Sequence, residues 1–311
     1  MNNKVKGSLY GLYIGDALAM PVHWYYDRAA LNRDYGWVDS YLAPKNPHPN
    51  SILWRSHYQP VNEKGEILHH QARYWGERDV HYHQFLKPGE NTVNLKLCQL
   101  SWKLLQEGYS KEEYINRYIA FMRCPSSHND TYLEEYHRGF FTNYARGKDP
   151  LKCAVEEKHI GGLCHLFPVY LSTRNTAMAL EHMACTHAGR KMKQTGTEVL
   201  DVLEVCLQRG DVIDKVRQYL GKRRMSWLTL PDEEVIGMRI STVCYVEESW
   251  PAVLYLLAKY LEQPARALEV NTNLGGDNCY RGAVLGALLG AFHGEDAWPL
   301  AWRHGLVGVD I

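Results

Sequence analysis

The sequence predicts an all-α fold in one domain, and three observations carry the prediction. Apolar positions recur at helical spacing along most of the 311 residues. No stretch shows the strand–helix rhythm of a parallel sheet, and no repeat of roughly 20–50 residues recurs. Glycines step by four near both ends: Gly7, Gly11 and Gly15, then Gly282, Gly286, Gly290 and Gly294. On a helix that step places the glycines on one face. Each costs roughly 1 kcal/mol against alanine, so close approach of another backbone is the expected compensation.

Residues 4–20 read as the first helix, ended by Pro21, with Asp16 directly after Gly15. From 36 to 90 the helical period is lost among prolines, tyrosines and Trp37, Trp54 and Trp75. So aromatic a stretch argues against disorder, and it reads as an ordered cap or lid. Asn91 is placed to cap a helix over 92–107, where Val93, Leu97, Leu100 and Leu104 share a face. Further helices are expected near 110–122, 131–145, 150–157, 162–172, 175–188, 194–209 and 211–220, then a break from 221 to about 238. Ser249 with Trp250-Pro251 starts another to about 261, followed by 263–271 and the glycine stripe at 276–293.

Composition bounds the function. Lys+Arg 35 balances Asp+Glu 35, and no basic run exists, so nucleic-acid partners are not expected. The apolar run from Gly282 to Phe292 is too short to cross a bilayer. The start Met-Asn-Asn-Lys-Val-Lys-Gly does not read as a leader. Eight scattered cysteines with no C-x-x-C pair suggest buried thiols in a reduced, cytoplasmic setting. His69-His70 and His81-x-His83 fall in a polar loop without further zinc ligands at convincing spacing.

Gly275-Gly276-Asp277 opens the C-terminal stripe. A helix start offers unpaired N–H groups and the positive end of the dipole, suited to a carboxylate or a phosphate. The two stripes together predict two tightly packed helices with Asp16 and Asp277 near a shared pocket.

Several segments, in order and spanning nearly the whole chain, resemble the ADP-ribosylglycohydrolases. Gly7-x-x-x-Gly11-x-x-x-Gly15-Asp16-Ala17-Leu18-Ala19-Met20-Pro21 is similar to the family's first signature, and Leu274-Gly275-Gly276-Asp277 with its stripe to the last. Gly161-Gly162-Leu163-Cys164-His165-Leu166-Phe167-Pro168, Cys185-Thr186-His187 and Tyr245-Val246-Glu247-Glu248-Ser249 resemble segments between them. The resemblance implies an orthogonal helical bundle with a central cleft. It also implies cleavage of a glycosidic bond between ADP-ribose and an acceptor, usually with two Mg²⁺ ions held by carboxylates and threonines.

The departures fall at the metal positions. Gly89-Glu90-Asn91-Thr92 stands where the family has T-D-D-T, and Asp277-Asn278-Cys279-Tyr280 where it has D-x-D-T. A thiol suits Mg²⁺ poorly. His23 stands in place of a family acid. No metal cofactor is therefore expected; if one ion binds, Glu90 and Asp277 would hold it as a single weak Mg²⁺. The expected catalytic groups are Asp277 and Glu90 as an acidic pair, with His23 as a third titratable group. Asp16, Asn91, Gly161, Gly162, His165, His187, Gly275, Gly276, Asn278, Cys279 and Tyr280 are expected to line the substrate site. The glycine turns would expose backbone N–H groups to a ribose or diphosphate. A low-pKa Cys279 nucleophile, with His187 or His165 as base, is a minor alternative. The expected substrate is an ADP-ribosylated or nucleoside-like molecule. The rival expectation is an inactive ADP-ribose-binding module or a crystallin-type structural protein.

Overall fold

Gly7, Gly11 and Gly15 face Gly294, Gly286 and Gly282 respectively, so the two stripes run antiparallel with their backbones in contact. A Cβ on Gly11 would fall on the Gly286 carbonyl, and one on Gly286 on the Gly11 carbonyl. These stripes lie on helices α1 (Asn3–Ala19) and α15 (Asn278–His293). Ser8 Oγ adds a hydrogen bond across the seam to the Ala287 carbonyl at 2.8 Å. Antiparallel packing puts the end of α1, with Asp16, beside the start of α15, after Asp277. The expected tight pair is therefore formed.

The computed structural model describes all 311 residues. Between the two glycine helices the chain forms α2 (Arg28–Tyr35), α3 (Val93–Glu107), α4 (Lys111–Arg123), α5 (Glu135–Ala145), α6 (Gly161–Cys164), α7 (Leu166–Thr173) and α8 (Thr176–Met183). It continues with α9 (Arg190–Gln208), α10 (Val212–Leu220), α11 (Lys222–Met225), α12 (Asp232–Val235), α13 (Val246–Lys259) and α14 (Pro264–Asn273), and α16 (Leu300–Gly305) follows α15. The one sheet is small: β1 (Val155–Glu156) pairs parallel with β2 (His187–Ala188), Val155 opposite His187. The main apolar core surrounds α1 and α15 and takes in α7, α9, α10, α13 and α14. A second core joins α3, α4 and α5. No helix is long and apolar enough to cross a membrane.

The expected helices are mostly present, with instructive exceptions. The segment 150–157 is a short 3-10 turn followed by β1, because Val155 and Glu156 pair with β2. The expected helix at 175–188 stops at Met183 for the same reason. The helix expected to start at Ser249 begins at Val246, and Pro251 sits inside it; Ser249 Oγ donates to the Tyr245 carbonyl instead of capping. Helices α2 and α16 were not expected from the pattern, and the short α11 and α12 fall within the expected break at 221–238. Residues 36–90 carry no α-helix, only 3-10 turns such as Leu53–Arg55 and His69–Tyr74. This stretch is ordered by burial of Leu53, Ile67, Leu68, Tyr82 and, unusually, His48, His81 and His83.

Candidate functional site

Asp277 takes the N-cap position of α15, but its side chain caps nothing. Positive φ at Gly275 (69°) and Gly276 (68°) bends the chain sharply before it, a conformation glycine adopts without Cβ strain. That bend is packed against protein. Gly276 N–H donates to the Tyr25 carbonyl, Asp277 N–H to the Thr242 carbonyl, and Trp24 N–H to the Gly276 carbonyl. The turn thus offers no free amide to a phosphate. It serves instead to aim the fully buried Asp277 carboxyl at two histidines.

One of these is His23, whose Nε2 lies 3.3 Å from Asp277 Oδ1. The 3-10 turn Met20–Val22, with Pro21 as its second residue, carries His23 to this point from the end of α1. The other face of the His23 ring meets its neighbours closely: Nδ1 is 2.8 Å from His83 Nε2, and His83 Nδ1 is 2.8 Å from Asp130 Oδ1. The two imidazoles are nearly coplanar (5°) with centroids 5.1 Å apart, so they meet edge to edge. All four residues are buried. The cap supplies His83, and the loop before α5 supplies Asp130.

The second histidine is His159, with Nε2 3.3 Å from Asp277 Oδ2. This approach is out of line for a hydrogen bond, and Oδ2 has no partner. His159 Nδ1 accepts from Gly161 N–H, so the ring proton of the neutral form sits on Nε2. Beyond it lies Glu134, also buried, whose Oε1 accepts from the Tyr280 hydroxyl and whose Oε2 has no partner. Tyr136, His137 and His187 contribute further unpartnered buried polar atoms beside this group, and the Tyr136 ring packs against both histidines. Unpartnered polar atoms are uncommon in folded interiors, and their concentration here marks this place as the candidate site.

Burial controls the electrostatics. It raises the Asp277 pKa, with the His159 and Arg281 charges opposing. It pushes Glu134 up to about 8, and the Asp130 and Asp277 charges add to the rise while the Tyr280 hydrogen bond opposes it. Burial also favours a protonated Asp130, but the His83 hydrogen bond and the His83, Lys96 and His128 charges outweigh it and leave the pKa below its ordinary value. His23 is held well below the usual histidine range by burial, then by His83, His159 and His48. Burial thus shifts two of these acids toward the neutral form, while its partners shift Asp130 toward the charged form.

The structure rearranges the expected site. Glu90 does not meet Asp277. It pairs with Lys96 at 2.7 Å, accepts from Lys87 N–H, and lines a separate surface cavity of about 1150 Å³ with Trp102 and the C-terminal residues. The acid brought into the electrostatic reach of Asp277 is Glu134. Asp16 is buried beside the seam, its carboxylate taking Asn91 Nδ2, Thr92 N–H and Thr92 Oγ1, each at 2.8 Å, and its pKa is raised by burial to about 6. Asn91 thereby braces Asp16 instead of capping α3. Gly161 and Gly162 are as closed as the C-terminal turn, since a Cβ on Gly162 would strike the His187 ring. His165 binds Asn94 Oδ1 at 2.9 Å, and burial lowers its pKa to about 4. His187 binds Thr186 and stacks near Tyr136. Asn278 Nδ2 donates to backbone carbonyls of Val22 and Thr272. Burial pushes the Cys279 thiol well up, and its Sγ approaches the Asp16 carbonyl at 3.6 Å; a low-pKa nucleophile is not formed there.

Among the residues that pattern reading missed, Glu134, Asp130 and His159 carried no motif, whereas the His81-x-His83 pair was visible but was assigned only to a polar loop, and both its histidines are buried. Its partners come from distant segments, so spacing could not find them.

The donor chemistry can be tested against metals. His159, Cys244 and Asp277 place one ligand atom each within 4.8 Å of one another. A metal-bound imidazole normally donates its second N–H outward. His159 Nδ1 accepts instead, leaving a proton on the Nε2 that a metal would need. For a pair of Mg²⁺ ions, hard oxygens are required, yet Asp16 is saturated by protein donors, Glu90 is turned away and Asp277 is flanked by imidazoles. These residues do not fit a dinuclear magnesium centre.

The family model described as ADP-ribosylglycohydrolase matches residues 1–311. No curated protein matches in sequence. Among solved structures, a chain of an "ADP-ribosylglycohydrolase-related protein complex" is similar, at 20% identity and a TM-score of 0.61, over 98% of this chain and 92% of that one. At that identity the likeness shows the fold.

Proposed function

The chain belongs to the ADP-ribosylglycohydrolase family, and from that premise we propose that it hydrolyses a glycosidic bond to ribose in an ADP-ribosylated or nucleoside-like substrate by acid chemistry, without a magnesium pair. The observation that carries this reading is the pair of buried carboxyl groups, Asp277 and Glu134, each with one unpartnered oxygen and each shifted toward the neutral acid.

In this reading the Asp277 proton goes to the leaving atom as the bond from the ribose anomeric carbon breaks, and the bonding electrons leave with that atom. Water oxygen then bonds to the carbon, and a water proton returns to the Asp277 carboxylate. Glu134, with Tyr280 donating to Oε1, holds its proton on Oε2, where it can donate to a ribose hydroxyl or to the water. Tuning two carboxyl groups by burial is an established route to acid catalysis near neutral pH.

One observation favours a second reading. Asp277, His23 and Tyr280 are entirely buried, and the 1150 Å³ cavity lies elsewhere. A sealed cluster of this kind fits a ligand-binding or structural protein that no longer turns over. Incubation with ADP-ribosyl-arginine, ADP-ribosyl-serine, ADP-ribose and simple nucleosides, followed by chromatography, separates the two. Turnover in EDTA that is lost in Asp277→Asn supports the proposal. No turnover of any substrate, with or without Mg²⁺, rejects it in favour of the second reading.

A further inference from the structure

Cationic and acidic side chains are equal in number, Lys+Arg 35 and Asp+Glu 35, yet the arginines are unevenly placed. Helix α10 ends at Leu220, and Gly221 (φ 83°) turns the chain into α11, which carries Lys222, Arg223 and Arg224 on the surface. Arg239 arrives from the turn after α12, where Gly237 N–H donates to the Ile240 carbonyl. Leu220, Arg223, Arg224, Trp227 and Arg239 line one surface cavity of about 490 Å³. Its arginines thus converge from two separate segments of the chain.

The charges around this cavity are unequally matched. Arg239 pairs with Glu234 and lies over the Trp227 ring, 5.6 Å from its centre. Arg223 and Arg224 have neither an ion pair nor a side-chain hydrogen bond. Acids on the neighbouring elements are engaged elsewhere: Asp232 with Lys259, Tyr255 and Tyr260, Asp214 with Arg217, and Asp201 with Tyr219. Glu233 lines a different cavity, beside Trp37. With three guanidiniums against one carboxylate, the concavity is locally cationic in a chain of no net charge.

Guanidinium forks suit phosphate, because two parallel N–H groups meet two oxygens. Arginines approaching from two sides suit a ligand that presents oxygens on more than one face, as a diphosphate does. Trp227 and Leu220 add an apolar wall. The volume of about 490 Å³ falls within the roughly 300–1,000 Å³ of small-molecule sites. Three consecutive cations are too few to track a nucleic-acid backbone, where roughly 6–10 phosphates are contacted.

We propose that Arg223, Arg224 and Arg239 form a binding site for a small phosphate-bearing molecule, a diphosphate above all. The site is separate from the buried cluster around Asp277 and does not depend on the hydrolase reading.

Calorimetric titration with inorganic pyrophosphate at low ionic strength tests it. The full-length wild type should bind saturably, more tightly than it binds inorganic phosphate, and more weakly as salt rises. Arg223→Ala combined with Arg224→Ala should weaken binding about tenfold or more. Both side chains are exposed, so the fold should survive their loss. Arg239→Lys, which keeps the charge but not the fork, should also weaken binding. Arg73→Ala combined with Arg78→Ala removes the same charge from exposed positions of the cap and should leave the affinity nearly unchanged. Absence of saturable binding, or an equal loss in the Arg73 and Arg78 variant, would overturn the proposal. So would binding confined to vesicles of phosphatidylglycerol in phosphatidylcholine, which would make these arginines a membrane contact.

Discussion

The Gly286 carbonyl of α15 fills the space that a side chain on Gly11 of α1 would need. This contact holds α1 against α15 and so sets Asp16 beside the start of α15.

Replacing either glycine should therefore reverse the usual helix preference. Alanine normally stabilises a helix by roughly 1 kcal/mol over glycine. Here Gly11→Ala or Gly286→Ala should destabilise by about 1–3 kcal/mol or more, as overpacking does. A lower urea midpoint with unchanged slope checks this; an equal or higher midpoint would show that the helices can separate at no cost.

Glu90→Gln should leave turnover and stability nearly unchanged. Its partner Lys96 is partly exposed, and such pairs contribute about 0–1 kcal/mol. Glu134→Gln should reduce turnover strongly. Comparing the two variants at one substrate concentration decides which carboxyl belongs with Asp277, and a larger loss in Glu90→Gln would restore the pairing expected from sequence.

Glu134 also has a stability signature. Its pKa rises from the ordinary 4.5 to about 8 on folding, so the native state binds the proton more tightly than the unfolded chain. That contribution is fully present below about pH 4.5 and is lost as pH rises through about 8. Wild type should lose stability relative to Glu134→Gln across this window. Parallel stability curves would mean that Glu134 is ionised throughout.

The thiols give a simple control on cysteine chemistry. Cys124 is exposed, and its hydrogen bonds from Ser126 and Ser127 lower its pKa to about 7, whereas burial raises that of Cys279. Brief alkylation at neutral pH, read by mass spectrometry, should label Cys124 and leave Cys279 unmodified until the protein unfolds. Rapid labelling of Cys279 would revive it as a nucleophile.

The helical scaffold was legible because it rests on local periodicity and on the four-residue glycine step, both properties of short windows. The site was legible only at Asp277 and His23, which sit beside those glycine signatures. His83, Asp130, Glu134 and His159 come from loops whose proximity depends on tertiary folding, and nothing in their spacing encodes it. Glu90 was assigned by linear position, as the one acid left in Gly89-Glu90-Asn91-Thr92, but its carboxylate pairs with Lys96 of α3 and not with Asp277. Val155 shows the same limit for structure, since only its pairing with His187 makes it a strand.

The most direct test of the central claim is hydrolysis of an ADP-ribosylated substrate in EDTA, comparing wild type with Asp277→Asn. The account predicts turnover by the wild type that Mg²⁺ does not raise and that falls to background in the variant. Turnover that requires Mg²⁺, or that survives in Asp277→Asn, would contradict it.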